Sequence, residues 1–371
     1  MSETLKIGSK LYDSQYIVDK VLGSGADGDV YIVHLDGFPR TKYAAKVFKK
    51  PETIDDEYWR KRSDEALTAM RISQRPNPNL AKTHNVLVTP NNDIVLIMEY
   101  IDGVTLRKYL NEQGCITPKV ALNIFKKMLN GVKQLHGYKQ KIIHRDLKPE
   151  NIMVSYDLSK VIIVDFGISS VVKDQAIFTN EKWLYGTASY ILPDLYEQYK
   201  KQDGVKNISV QSDFYSLGVI LYEMIMGTLP FDQVKTIVNG KETVDAAKTI
   251  KLPLRFDMIN ISSNPTIPPS LENIIYRCIA SKKNEIKHRY NDIDEIIDDV
   301  NKCIPLLDKK NDTTPLLKPV DKRFYQTLSP IEIDLVKSNQ KWYKQWYFFA
   351  IVFVLAITII VAAIIYFFVI I

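Results

Sequence analysis

Hydrophobic and polar residues alternate over short distances in residues 12–100. Runs rich in β-branched and aromatic residues are separated by Gly, Pro, Asn and Asp, which is typical of β-strands joined by turns. These runs are QYIVDKVL, DVYIVHL, KYAAKVF, NVLV and DIVLIMEY. Residues 55–73 interrupt them with helix-forming residues and early acidic residues, and this pattern predicts one helix inserted into a sheet.

The pattern changes to a helical period after Gly103. Residues 117–136 begin with Thr-Pro and carry apolar residues four positions apart, so they predict a long helix with one buried face. Further helices are predicted at about 211–227, 271–280 and 291–303. The sequence therefore predicts an α+β fold of two lobes, with a small β-rich N-terminal lobe and a larger helical C-terminal lobe.

Residues 346–371 form an uncharged, strongly apolar run. As a helix this run would reach about 39 Å, and a bilayer core is about 30 Å thick. Aromatic residues cluster at both ends, and Lys341 and Lys344 flank the N-terminal end, which predicts one transmembrane helix with the preceding chain in the cytosol. The alternative is a buried core helix, which the length of the run disfavours.

The rest of the composition indicates an intracellular globular protein. A net charge of +6 without a basic block does not favour nucleic acid as a partner. The three cysteines lie far apart in the sequence and predict reduced thiols. Residues 304–345, with four prolines and many charges, predict a solvated linker between a folded region at 12–303 and the apolar run, and residues 1–11 form a short extension.

A glycine-rich segment, Gly23-Ser-Gly25-Ala-Asp-Gly28-Asp-Val30, stands between two predicted strands. Glycine lets backbone N–H groups approach a polyphosphate closely, although this pattern alone is weak evidence. A strand follows it where a dinucleotide-binding site would have a helix. Lys46 ends the next strand, where it could lie under the glycine loop.

Two further motifs are far more specific. His144-Arg145-Asp146-Leu147-Lys148-Pro149-Glu150-Asn151 is followed by Asp165-Phe166-Gly167, directly after an apolar strand. With the glycine loop and Lys46 in the same order, the chain resembles the eukaryotic-type protein kinase family over about residues 12–303. The resemblance implies the two-lobed kinase fold and the use of ATP and Mg²⁺.

The resemblance also implies roles for individual residues. Lys46 would bind the α- and β-phosphates of ATP and would pair with Glu65, with Glu57 as the alternative on the same predicted helix. Asp146 would accept the proton of the substrate hydroxyl, with Lys148 beside it. Asn151 and Asp165 would hold Mg²⁺, which prefers oxygen ligands. The remaining nucleotide contacts would come from Gly23, Gly25, Gly28 and Val30, and from Glu99 and Ile101 of the hinge that follows the gatekeeper Met98.

Lys148 and Gly186-Thr187 resemble the serine/threonine branch of the family. The expected substrates are therefore serine and threonine hydroxyls of proteins. Asp213 resembles the buried aspartate that steadies the catalytic loop. Arg289 resembles the arginine that pairs with the Ala-Pro-Glu motif, which reads Leu192-Pro193-Asp194 here, with a side chain one methylene shorter.

Arg145 suggests regulation by phosphorylation of the activation segment, because an arginine at this position can bind a phosphate. Thr179 is the leading candidate, followed by Ser169, Ser170 and Thr187. Self-association on the membrane would favour phosphorylation between copies of the chain.

Two acidic residues depart from the glycine-loop pattern. Asp27 and Asp29 would weaken ATP binding if their carboxylates faced the phosphates. They are the support for one alternative function, a membrane-tethered pseudokinase. A second alternative is a kinase of lipids or small molecules, suggested only by the membrane segment. The sequence leaves open the protein substrate, the activator and which membrane the chain enters.

Overall fold

A computed structural model describes residues 5–12, 14–25, 28–50, 56–138, 142–166, 188–195, 209–238, 241–255, 258, 267–307 and 312–317. The chain divides into a compact unit at Met1–Pro319 and a second unit at Val320–Ile371. The second unit lies outside the described residues, so the following description concerns the first.

The N-terminal lobe is built on one five-stranded antiparallel sheet. The predicted strands are confirmed, and they are rich in the β-branched and aromatic residues that favour strands. The strands are β1 (Tyr16–Gly25), β2 (Gly28–Leu35), β3 (Phe38–Phe48), β4 (Thr83–Val88) and β5 (Ile94–Glu99). They pair in the order β1-β2-β3-β5-β4.

The two faces of this sheet pack differently. One face carries a cluster that includes Tyr31, Val33 and Val47. A separate buried cluster joins Met98 of β5 to Trp59 and Ala66 of α1 (Asp56–Ser73), the helix predicted at residues 55–73. The inserted helix therefore covers part of the sheet that lies beside the hinge.

The C-terminal lobe is mainly helical and holds the largest buried cluster. Within the described residues its helices are α2 (Leu106–Gln113), α3 (Pro118–His136), α4 (Gln211–Met226), α5 (Ala246–Arg255), α6 (Pro269–Ile279) and α7 (Ile293–Cys303). The four helices predicted from the apolar period are confirmed as α3, α4, α6 and α7. Helices α2 and α5 are short and were not predicted.

Helix α4 is the centre of this lobe. Its residues from Ser212 to Ile225 are all buried, so polar residues such as Asp213 and Glu223 are buried with the apolar ones. Gly218 allows α6 to approach closely, because a Cβ at this position would lie 2.4 Å from the Cβ of Cys278. A buried helix of this kind can hold other segments in fixed positions.

A small three-stranded sheet lies in the same lobe and frames the motif residues. Its strands are β6 (Val104–Thr105), β7 (Ile152–Val154) and β8 (Val161–Ile163). Strand β7 follows Asn151 directly, and β8 ends two positions before Asp165. Their antiparallel pairing thus brings the ends of the two motifs to the same region. A separate hairpin pairs β9 (Lys235–Val238) with β10 (Lys241–Val244).

Residues 312–317 lie within the range predicted as a linker, and they are docked on α6. Asp312 Oδ2 accepts a hydrogen bond from the backbone N–H of Ser270 at 2.9 Å, near the N-terminus of that helix. The side chain of Asn273 donates to the Pro315 carbonyl at 2.9 Å and accepts from the Leu317 N–H at 2.8 Å. The folded unit thus continues beyond residue 303, up to residue 317 of the described chain.

Within the described ranges, no helix has both the length and the apolar character needed to cross a membrane. Residues 346–371 lie outside those ranges.

Candidate active site

Asp213 of α4 holds the backbone of the catalytic-loop motif at His144 and Arg145. The Asp213 carboxylate accepts hydrogen bonds from the backbone N–H groups of His144 and Arg145, both at 2.9 Å, and from the ring of His136 at 2.8 Å. Burial alone would raise the pKa of Asp213, but the hydrogen bonds and the nearby histidines hold that pKa below its ordinary value. Asp213 therefore has the supporting role that the resemblance implied.

Two residues in this region have left-handed backbone conformations. The φ angle is +64° at Arg145 and +60° at Asp165. Such angles cost about 1–3 kcal/mol in residues other than glycine, and they persist where surrounding bonds fix them. At Arg145 the bend turns two successive N–H groups toward one carboxylate.

Asp146 is 4% exposed and lies in a polar cluster. The Asn151 side-chain nitrogen donates to the Asp146 carboxylate at 2.9 Å and to its carbonyl oxygen at 2.9 Å. The ammonium of Lys148 lies 3.4 Å from the same carboxylate. Three of the predicted site residues therefore meet, as their spacing within one short motif requires.

Lys46 and Asp165 form an ion pair, with 2.7 Å between Nζ and Oδ2. Lys46 is 7% exposed and lies on β3, so the pair joins the N-terminal sheet to the end of β8. The residue before Asp165 is tied to the catalytic loop, because Val164 N–H donates to the Asn151 carbonyl at 3.0 Å. The two specific motifs are thus adjacent in space.

The glycine-rich segment forms the turn between β1 and β2. Gly23 lies opposite Val30 and Gly25 lies opposite Gly28, while residues 26 and 27 at the tip lie outside the described residues. Gly28 has a φ of +120°, and a Cβ there would lie 2.3 Å from the Val47 carbonyl oxygen. Only glycine fits at this position, so the hairpin can lie close over β3.

Asp29 does not face the site. It lies opposite Val47, whereas the neighbouring Val30 lies opposite Lys46, and directly opposed residues share one face of a sheet. Since Val47 belongs to the cluster on the other face, the Asp29 carboxylate points away from Lys46. There it forms an ion pair with Lys49. Asp29 therefore does not share a face of the sheet with Lys46, the residue predicted to bind the phosphates, and Asp27 lies outside the described residues.

The predicted partner of Lys46 falls in a less completely described helix. Glu65 and the alternative Glu57 both lie on α1, but their side chains are outside the described part of the chain. The pairing of Lys46 with either glutamate therefore remains a prediction.

The predicted hinge follows β5. Glu99 donates its backbone N–H to the Lys82 carbonyl at 2.9 Å, and its side chain accepts from the Lys82 N–H at 2.7 Å. Ile101 packs partly buried against the C-terminal lobe. The segment that connects the two lobes is thus held by the N-terminal lobe at Glu99 and by the C-terminal lobe at Ile101. It follows Met98, which is 9% exposed.

Arg289 pairs with Asp194 at 2.8 Å, so the shorter carboxylate still reaches the arginine. Gly167 and the candidate phosphorylation sites Ser169, Ser170, Thr179 and Thr187 lie outside the described residues. Gly186 lies outside them as well.

Sequence reasoning missed one polar network beside the catalytic loop. Arg107 of α2 bonds to Glu150, Glu223 and Tyr190, which come from three other segments. Glu150 was visible only as part of its motif. Nothing in the local pattern at Arg107, Tyr190 or Glu223 distinguishes them from surface or core residues.

The chain matches the family described as protein kinase domain over residues 16–294. It is 31% identical to a putative serine/threonine-protein kinase of Mycoplasma pneumoniae, covering 92% of each chain. It is also 31% identical to a putative serine/threonine-protein kinase of Mycoplasma genitalium, covering 98% of each. The fold resembles the crystal structure of the Mycobacterium tuberculosis PknI kinase domain, with a TM-score of 0.55 at 20% identity, over 81% of this chain and 99% of that one.

Proposed function

This chain belongs to the protein kinase family, and we propose that it is an active serine/threonine kinase that transfers the γ-phosphate of ATP to protein hydroxyls. The observation that carries the proposal is the 2.7 Å ion pair between Lys46 and Asp165. It joins the predicted phosphate-binding cation on the sheet to the predicted metal ligand beside Asp146. The pair also lies next to the catalytic-loop motif, because Val164 beside Asp165 donates to the Asn151 carbonyl, and this arrangement supports phosphoryl transfer.

The residues fit a magnesium nucleotide. Asp165 and Asn151 offer a carboxylate and an amide oxygen, and the glycine-rich turn between β1 and β2 is of the kind whose backbone N–H groups bind phosphate. When bound, Mg²⁺ would neutralise charge on the phosphates. Lys46 would orient the α- and β-phosphates, and Glu99 and Ile101 would present hinge backbone groups to adenine.

Asp146 would orient the substrate hydroxyl and accept its proton as the oxygen attacks the γ-phosphorus. The Asn151 side-chain nitrogen donates one hydrogen bond to the Asp146 carboxylate and one to the Asp146 backbone carbonyl, and Lys148 lies close enough to balance the charge of the carboxylate. Serine/threonine specificity is supported by Lys148 and by the two Mycoplasma relatives. The pseudokinase alternative loses half of its support, because Asp29 faces away from the cleft.

The test is transfer of labelled γ-phosphate to a generic protein by the full chain in detergent. Wild-type protein should label serine or threonine, and Asp165→Asn should not. Asp298→Asn is the matched control, because Asp298 is an exposed carboxylate on α7. A folded wild-type protein that transfers no label with Mg²⁺-ATP, even after treatment with an activating kinase, would contradict the proposal.

We also propose that residues 346–371 anchor the kinase in a membrane, with the catalytic domain in the cytosol. The proposal rests on the length and apolar character of this run and on the flanking lysines. The full chain should stay with membranes after alkaline carbonate extraction, whereas a chain ending at Pro319 should be released. Release of the full chain would contradict the anchor.

Regulation by phosphorylation of the activation segment is proposed from the position of Arg145, with Thr179 as the first site. Confinement to a membrane would accelerate phosphorylation between copies. Reconstituted full chain should therefore modify itself faster than the truncated chain at equal bulk concentration. Active protein without phosphate at any of the four candidate sites would contradict this regulation.

A further inference from the structure

Arg107, in the first turn of α2, is the centre of a charged network outside the predicted site. Its Nε lies 2.8 Å from Glu150, its Nη1 lies 2.6 Å from Glu223, and its Nη2 bonds to the Tyr190 hydroxyl. One guanidinium thus connects α2, the catalytic-loop motif, α4 and the turn at Ala188–Tyr190. The planar fork of arginine is suited to several simultaneous bonds of this kind.

Two members of this network, Glu223 and Tyr190, are buried, so the loss of a partner would be costly. Glu223 has a side chain only 9% exposed, and its second oxygen accepts from Tyr190 at 2.6 Å. Burial raises the pKa of Tyr190, and the negative charge of Glu223 raises it further, so the phenol remains a donor. Burial opposes the charge of Arg107, but its bonds to Glu223 and Glu150 raise its pKa, so it remains a cation.

The network has two carboxylates and one cation. Removal of Arg107 would take away the cation that pairs with the buried Glu223, and a buried unpaired charge is costly. Glu150 is 42% exposed and could turn toward water, whereas Glu223 and Tyr190 are enclosed. We therefore expect the unpaired charge of Glu223 to be relieved by movement of the Ala188–Tyr190 turn.

This turn directly follows Gly186-Thr187, which resemble the substrate-binding loop of the serine/threonine branch, and it comes just before Leu192-Pro193-Asp194. Its backbone is held separately, because Ser216 of α4 donates to the Tyr190 carbonyl at 2.7 Å. Arg107 holds the side chain of the same tyrosine and ties it to Glu150, four positions after Asp146.

We propose that Arg107 is a positioning residue that holds the Ala188–Tyr190 turn against the catalytic loop and thereby sets the affinity for the protein substrate. This inference rests on the proposed function. It separates two binding events: the protein substrate meets the turn that Arg107 holds, whereas the nucleotide meets the glycine hairpin, Lys46 and the hinge.

The test compares Michaelis constants of the full chain in detergent for Arg107→Met, Arg107→Lys and Arg107→Met/Glu223→Gln. Lys108→Met is the matched control, since Lys108 is the next residue and its side chain is 61% exposed. Arg107→Met should raise KM for a generic protein substrate about 10-fold and change KM for ATP less than about 2-fold. Arg107→Lys should lie between wild type and Arg107→Met, because a point charge cannot make the forked contacts.

The double variant should recover part of the lost affinity, because glutamine removes the uncompensated charge while keeping the shape. It also keeps the inference testable if Arg107→Met fails to fold. Unchanged KM for the protein substrate in Arg107→Met and Arg107→Lys, or an equal rise of both constants, would overturn the inference. Loss of wild-type transfer to protein would instead overturn the proposed function, which the wild-type measurement detects separately.

Discussion

Two aspartates that lie close to the catalytic loop are held in opposite ways. Asp213 is fully buried and accepts from two backbone N–H groups and one histidine. Asp165 has a side chain 19% exposed and faces the flexible ammonium of Lys46. The Asp213 carboxylate is bound by two backbone N–H groups and a buried ring. The Asp165 carboxylate is bound by the side-chain ammonium of Lys46, which would bind phosphate when ATP is present. We therefore assign Asp213 to support of the fold and Asp165 to phosphoryl transfer.

The strongest test of this comparison is Asp213→Ala. We expect the free energy of unfolding to fall by about 3–5 kcal/mol, because two backbone N–H groups and His136 lose a buried charged acceptor. Urea unfolding followed by circular dichroism measures the change. Asp298→Ala should leave the free energy within about 0.5 kcal/mol of wild type. A loss in Asp213→Ala as small as in this control would break the comparison.

The same aspartate predicts a pH dependence. Because the pKa of Asp213 is lowered in the folded protein, its contribution to stability is complete above the ordinary carboxyl range. The contribution is lost as the pH falls through the lower folded pKa. The difference in stability between wild type and Asp213→Ala should therefore shrink below about pH 4. A difference that grows on acidification would contradict the sign.

Asp165→Asn should have the reverse profile. We expect phosphate transfer to fall at least about 100-fold, since the predicted carboxylate ligand of Mg²⁺ is lost. The free energy of unfolding should change by less than about 1 kcal/mol, because the carboxylate is partly exposed. Transfer assays and urea unfolding on the same preparation check both values. A large loss of stability with retained activity would reverse the assigned roles.

A smaller effect is expected where residues 312–317 dock on α6. Asp312→Asn should lower the free energy of unfolding by about 1 kcal/mol, because the carboxylate accepts from the N-terminal turn of that helix. Its hydrogen bonds with Ser270 and Thr314 outweigh the opposing effect of burial and lower the pKa of Asp312 to about 2. The stabilisation should therefore be present above about pH 4 and lost as the pH falls toward 2.

Limited proteolysis gives a second measurement for this segment. Asp312→Asn should be cut after residue 307 faster than wild type, and Asn273→Ala should behave in the same way. Asp298→Asn again provides the control. Equal cutting rates in all four proteins would show that these bonds do not hold the segment.

The smallest effect is expected at Asp29. Asp29→Asn should change KM for ATP by less than about 2-fold, because the carboxylate pairs with Lys49 on the face of β2 and β3 opposite Lys46. Steady-state kinetics at varied ATP measures this. A fall in KM of about 10-fold or more would mean that Asp29 repels the nucleotide after all.

Local sequence determined a large part of this protein. Strands β1–β5, the long helices and the two specific motifs follow from short-range alternation, the apolar helical period and residue spacing. The cluster of Asp146, Lys148 and Asn151 could be predicted because its members lie close together in the sequence, within residues 146–151. Gly28 was predicted from close approach to a polyphosphate, and the structure adds a second reason for glycine there, since the backbone lies close to β3 and excludes a Cβ.

Only the tertiary structure decided the long-range polar contacts. Arg107 meets Glu150, Tyr190 and Glu223 across separate elements, and Asp312 meets the start of α6 from 42 positions away along the chain. The direction of the Asp29 side chain likewise depended on its pairing opposite Val47, whose side chain lies on the face of the sheet away from Lys46. A charged side chain carries no local mark of its partner, because ion pairs form wherever the packed apolar core brings opposite charges together.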